Sequence, residues 1–113
     1  MARFKETNPF YKKPKWRYKR EAILKRDGYT CRESKRYGKT VDATTVHHIY
    51  PLELYPELAY VDWNLISLSD KKHNAMHDRV THELTELGKA WQVRVQDKFN
   101  EWMKEKQSPP TFK

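Results

Sequence analysis

At 113 residues the chain has room for one domain with a core of its own, and no second domain is expected. It carries 23 Lys and Arg against 15 Asp and Glu, a formal net charge of +8 and a pI near 9.6, with hydrophobic residues at 37%. This balance points to a polyanionic partner, because clustered cations bind phosphate by releasing counterions; a merely solvated basic surface is the alternative. The single cysteine, Cys31, excludes an intrachain disulfide, no apolar run approaches the roughly 20 residues of a membrane span, and the first residues lack the apolar centre of a secretory signal. A soluble, unprocessed protein of a cytosol, with no membrane partner, is expected.

Residues 1–15 hold Arg3, Lys5, Lys12, Lys13 and Lys15, are interrupted by Pro9 and Pro14, and show no periodic apolar face. They read as a basic N-terminal arm. Phe4, Phe10 and Tyr11 are interleaved with those charges, a mixture suited to phosphate contact together with docking on the domain or stacking on bases. A loose tail is the other reading. Residues 16–27 place Trp16, Ala22 or Ile23, and Leu24 on one side of a short amphipathic helix, with Arg17 and Arg20 as candidate phosphate contacts. Gly28 is the expected C′ residue, and Lys25 and Arg26 suit the negative end of the helix dipole.

Residues 29–41 are polar and turn-rich, with Gly38 as the expected turn between irregular strands or loops. Residues 44–49 are the best strand candidate, rich in β-branched side chains and ending before Pro51. His47 and His48 would then face opposite sides of that strand. Residues 51–62 read as an ordered apolar loop and 63–68 as a second short strand. Ser69 is placed to cap a helix over 70–79, with Asp70 in its first turn, on which His73 and His77 would share one face at i and i+4. The order strand, loop, strand, helix predicts an α+β fold with a ββα unit that holds a metal between the first strand and the helix. Beyond it, Gly88 signals a turn, and Trp91, Val95, Phe99, Trp102 and Met103 recur at helical spacing as a packing stripe. Pro109 and Pro110 end any helix, so 16–106 is the expected domain and 107–113 a loose tail.

Four of the five histidines lie between 46 and 79: His47, His48, His73 and His77, with Asn64 among them. A catalytic metal needs about three protein ligands and open positions for water and substrate, which leaves one imidazole of four to act as a base. His82 reads as a surface residue. Asp78 is either a partner that orients a ligand or an exposed helix-end carboxylate.

The segments VHHIYPLE, DWNLISLS and KKHNAMHDR, preceded by a Trp, an Arg and RDGYTC, resemble the HNH nucleases, the His-Asn-His branch of the ββα-metal (His-Me finger) endonucleases. The resemblance covers 16–79 and implies a ββα-metal core flanked by an N-terminal and a C-terminal helix. It implies that His47, His73 and His77 are metal ligands, that His48 is the general base and that Asn64 pins the loop behind it. It also implies one divalent ion (Mg, Mn, Ni or Zn) and hydrolysis of DNA to 5′ phosphate and 3′ hydroxyl ends; for such a substrate Lys12, Lys13 and Lys15 of the basic arm, with Arg17, Arg20 and Arg79, are the expected DNA contacts. Small relatives of this type are often phage-encoded and resemble those that assist the terminase large subunit in DNA packaging. A non-catalytic metal-stabilised DNA-binding module and a restriction or homing nuclease are the alternatives. Many relatives carry two Cys-x-x-Cys pairs around a structural zinc. The matching positions here are Cys31 with Ser34 and Ser69 with Lys72, so no structural zinc is expected.

Overall fold

A computed structural model of the chain describes residues 8–107, which divide between two compact units, one running to His73 and the other starting at Asn74. The part of the expected arm that holds Arg3, Phe4 and Lys5, and the tail with Pro109 and Pro110, lie outside the described residues. Among the described residues, no helix is long and apolar enough to cross a membrane.

The first unit is built on helix α1, Pro14–Arg26, and a two-stranded antiparallel sheet, β1 Thr45–His48 with β2 Leu65–Leu68. Pro14 supplies the fixed φ that suits the first helical position, so α1 begins slightly ahead of the expected Trp16. It ends as its sequence predicts: Gly28 takes a φ of 65°, its N–H donates to the Lys25 carbonyl at 3.0 Å, and the Tyr29 N–H donates to Leu24 at 2.8 Å. That is a Schellman cap, and glycine occupies its left-handed position. Trp16, Ile23 and Leu24 turn into a core completed by Ala43, Val46 and Leu65.

The sheet pairs Val46 with Ser67 and His48 with Leu65. All four residues of β2 are buried, so its outer edge cannot rely on water. The C-terminus of α1 satisfies that edge. Arg26 donates from Nη2 to the Leu65 carbonyl at 2.7 Å and from Nη1 to the Asp62 carbonyl at 2.9 Å, and Asp27 Oδ2 accepts the Ser67 N–H at 3.1 Å. Burial alone would raise the Asp27 carboxyl, but the Arg26 guanidinium and the Ser67 N–H outweigh it and hold the group below the usual carboxylate range.

Between helix and sheet, residues 29–41 hold a short helix that their composition did not signal, α2 Arg32–Lys35, followed by a turn at Gly38 with a φ of 75°. Cys31 is fully buried and accepts hydrogen bonds from Ser34 and Ser69, which keep its thiol below the ordinary value although burial acts the other way. Three of the four positions that match the zinc ligands of relatives are thus gathered around one thiol and two hydroxyls. Residues 49–64 form the expected ordered loop, anchored by buried Leu52, Leu58 and Ala59.

Helix α3 spans only Asp70–Asn74. Ser69 Oγ accepts the Lys72 N–H at 3.3 Å as a helix-starting cap should, and Thr44 Oγ1 donates to Asp70 at 2.8 Å, tying the start of α3 to the start of β1. The expected helix to 79 does not form. Thr85 takes the carbonyls that a longer helix would have used: its Oγ1 donates to Ala75 at 2.7 Å and its N–H to Met76 at 2.9 Å. Residue 77 instead pairs with Leu84 in an antiparallel bridge.

The second unit contains that hairpin and two helices, α4 Glu86–Arg94 and α5 Gln96–Gln107. Asp78 shapes the hairpin tip by accepting the N–H groups of Val80 at 2.7 Å and Thr81 at 2.8 Å, so it is not the expected helix-end carboxylate. His82 is exposed, with a φ of 65°. Gly88 is not the expected turn but lies inside the first turn of α4, where a Cβ would stand 2.6 Å from the Met76 carbonyl. Trp91 is buried, and Val95, Phe99, Trp102 and Met103 are half-buried, as a packing stripe requires.

Candidate active site

Adjacent residues on an extended strand point to opposite sides, and β1 uses this to split its two histidines. His47 turns toward α3, where its ring lies 5.4 Å from that of His73, the planes at 65°. His48 turns toward α1 and stacks on Trp16, with ring centroids 5.0 Å apart and planes at 24°. Both are buried, His47 at 1% and His48 at 6% exposure.

The tautomer of His48 follows from its contact with a backbone carbonyl. Nε2 lies 3.1 Å from the Ala59 carbonyl, which can only accept, so Nε2 carries the proton and Nδ1 keeps its lone pair. Burial pushes the imidazole below its ordinary pKa; the Ala59 carbonyl and the Glu53 carboxylate oppose this, and His73 adds to it. The ring is therefore neutral at neutral pH, the state a base needs.

Asn64 holds the loop that supplies this carbonyl. Its Oδ1 accepts the Tyr50 N–H at 2.7 Å, and Nδ2 donates to the carbonyls of Tyr50 and Leu58, each at 3.2 Å. A backbone N–H can only donate, which fixes the amide orientation. The Ile49 N–H donates to the Asn64 carbonyl at 2.8 Å, so both ends of the loop are tied to one residue. Leu58 and Ala59 are consecutive; pinning the first sets where the second presents its carbonyl to His48.

The donor set was tested for a divalent ion. Imidazole ligands stand about 2.1 Å from a metal, which places two rings on one ion roughly 5 Å apart between centroids, close to the separation of His47 and His73. Two neutral imidazoles suit a borderline divalent ion. Among the described residues, no three His, Cys, Asp or Glu side chains form a metal cluster. His77, the third expected ligand, belongs to the second unit and lies outside α3, so the shared helical face expected for His73 and His77 does not exist.

Of the cations expected at DNA, Lys12, Lys13, Lys15 and Arg17 are exposed around the start of α1, with Lys15 Nζ 4.3 Å from the Tyr60 ring centroid. Arg20 is half-buried and donates from Nη2 to the Thr44 carbonyl at 2.8 Å. Arg79 is exposed in the second unit.

Against known structures, the chain is similar to the HNH endonuclease of the deep-sea thermophilic bacteriophage GVE2, a crystal structure with manganese ion. The match has 34% identity and a TM-score of 0.56, and covers 57% of this chain and 71% of the phage enzyme. The chain belongs to the HNH endonuclease family. HNH endonucleases are phosphodiester hydrolases, and the ββα order of β1, β2 and α3 fits that fold. No family model matches the chain, and no curated protein does so significantly.

The surroundings of His48 in this HNH endonuclease come from residues far away in sequence. Phe10 and Tyr11 lie in a 3-10 turn, Pro9–Lys12, with their rings 5.8 and 6.1 Å from that of His48. The interleaving of aromatics with basic residues hinted at such docking but named no target.

Proposed function

We propose that this HNH endonuclease cleaves DNA with one divalent ion, His48 acting as general base and His47 and His73 as ligands. His77 enters as a third ligand on family resemblance alone. The observation that carries the reading is the hydrogen bond from His48 Nε2 to the Ala59 carbonyl, which leaves Nδ1 able to take a proton in the residue next to the His47–His73 pair. When bound, the ion would neutralise charge on the phosphate and the leaving oxygen.

His48 Nδ1 accepts a proton from water as the oxygen attacks phosphorus. A new P–O bond forms, the bond to the 3′ oxygen breaks, and that oxygen leaves to be protonated as the 3′ hydroxyl. Asn64 and Ala59 hold the imidazole in the tautomer that this step uses. Lys12, Lys13, Lys15, Arg17 and Arg79 contact phosphates; Arg20, spent on the Thr44 carbonyl, contributes less. Family resemblance and the phage neighbour support a phage-encoded role with a terminase large subunit as partner.

The test is nicking of supercoiled plasmid by metal-stripped protein after addition of Mn²⁺, Mg²⁺ or Ni²⁺. Nicking is expected with at least one ion, and chelation should abolish it. His48→Ala should keep ion binding, measured by calorimetry, while its cleavage rate falls by about 10²–10⁴-fold. If wild type binds DNA but cuts with no ion, the chain is a binding module instead. Faster nicking when a terminase large subunit is added would support the packaging role.

A further inference from the structure

We propose that Trp16 is a positioning residue for the reaction: its indole fixes the plane of the His48 imidazole so that Nδ1 faces the attacking water. The proposal rests on the reading of His48 as the base. One hydrogen bond to Ala59 identifies the protonated nitrogen but leaves the ring able to pivot about that bond. A half-turn about Cβ–Cγ would exchange Nδ1 with a carbon and break the bond to Ala59.

The indole removes these freedoms. Stacked at 5.0 Å and 24°, it covers one face of the imidazole, and aromatic pairs hold preferred relative orientations. Trp16 is itself immobilised at 3% exposure in the core with Ile23, Leu24 and Val46. Phe10 braces the pair, its centroid 5.2 Å from Trp16, 5.8 Å from His48 and 5.2 Å from Tyr60. The tryptophan thus connects the α1 core to the base, and the turn Pro9–Lys12 closes over that connection.

Ordinary core packing would make Trp16 matter for stability alone, so the experiment separates the two. Trp16→Leu keeps an apolar side chain and removes the ring plane; Trp16→Phe keeps a ring. Trp16→Leu should lower kcat for plasmid nicking by about 10–100-fold at temperatures where it stays folded, with DNA and Mn²⁺ affinities unchanged. Trp16→Phe should recover activity to within about threefold of wild type. Trp91→Leu, a core change in α4 of the second unit, should lower Tm and leave kcat unaltered. If Trp16→Leu does not fold, Trp16→Met, which fills the volume with a flexible chain, carries the same expectation.

A second readout needs no cleavage. ¹⁵N–¹H correlations of the His48 ring should show one neutral tautomer, protonated at Nε2, in wild type and in Trp16→Phe, and a mixture of tautomers in Trp16→Leu or Trp16→Met. An unchanged tautomer together with an unchanged kcat in the ring-less variant overturns the proposal. Loss of kcat in Trp91→Leu equal to that in Trp16→Leu overturns it too. If wild type cuts with no ion, the base reading fails while the tautomer measurement still judges the positioning.

Discussion

Asn64 is fully buried and satisfies three backbone groups with one amide. Replacing it by Ala leaves the Tyr50 N–H and the Tyr50 and Leu58 carbonyls without those partners in a dry site. Each such loss costs about 1–3 kcal/mol, less where the loop can relax, so Asn64→Ala should destabilise by about 2–4 kcal/mol in urea unfolding. Its cleavage rate should fall as well, because the Ala59 carbonyl then has no fixed position; a variant as active and stable as wild type would sever Asn64 from His48. Asp27 works by the same chemistry at the edge of β2. Its carboxyl is held below the ordinary value, so its contribution is complete above the unfolded carboxylate pKa of about 3.9 and disappears as pH falls through the folded value. Tm should therefore drop more steeply below pH 4 in wild type than in Asp27→Asn. The substitution should itself cost about 1–3 kcal/mol at pH 7, since a charge-assisted pair with Arg26 is lost. Parallel Tm–pH curves would contradict this account.

At the scale of elements, the second unit turns on Thr85 and Gly88. Thr85 caps α4 by accepting the Gly88 N–H at 3.2 Å while donating to Ala75, so one hydroxyl begins one helix and prevents the preceding one from continuing. Gly88 must be small because the Met76 carbonyl lies where its Cβ would go and Leu84 Cδ2 is 2.7 Å from the same point. Alanine favours a helix by about 1 kcal/mol, yet the clash is with backbone and overpacking costs about 1–3 kcal/mol; Gly88→Ala should lower Tm by a few degrees. A rise in Tm would mean that the hairpin yields. These two residues also mark where reading the sequence stopped. The β-branched run before His47, the apolar segment after Trp63 and the Gly28 cap depend on neighbours in sequence and were legible. The end of α3 was not, because Ala75 and Met76 bond to a residue about ten positions later. The site divides in the same way. His47, His48, Asn64 and His73 stand out by type and order, while the Ala59 carbonyl and the Trp16 stack are contacts across long sequence separations that no local pattern encodes.

For the whole molecule, the net charge of +8 is informative only once the cations are sorted by what they already hold. Arg26 is committed to backbone carbonyls and Asp27, Arg20 to Thr44, Arg36 to Glu33 and Lys19 to Asp62. Lys12, Lys13, Lys15, Arg17 and Arg79 are exposed, and the first four cluster at the start of α1, the helix whose Trp16 stacks on His48. If each of the five meets one phosphate, log Kobs for duplex DNA should fall with log salt at a slope of about −4.5, by counterion release of about 0.9 per contact. Removing Lys12 or Lys13 should reduce that slope by about one and weaken all sequences alike. Arg20→Ala should leave the slope near its wild-type value while lowering Tm, because the guanidinium holds the Thr44 carbonyl rather than DNA. Filter binding of a short duplex between roughly 50 and 200 mM salt measures both quantities. A slope change for Arg20→Ala equal to that for Lys12→Ala would show that net charge alone, without regard to internal commitments, governs contact with DNA.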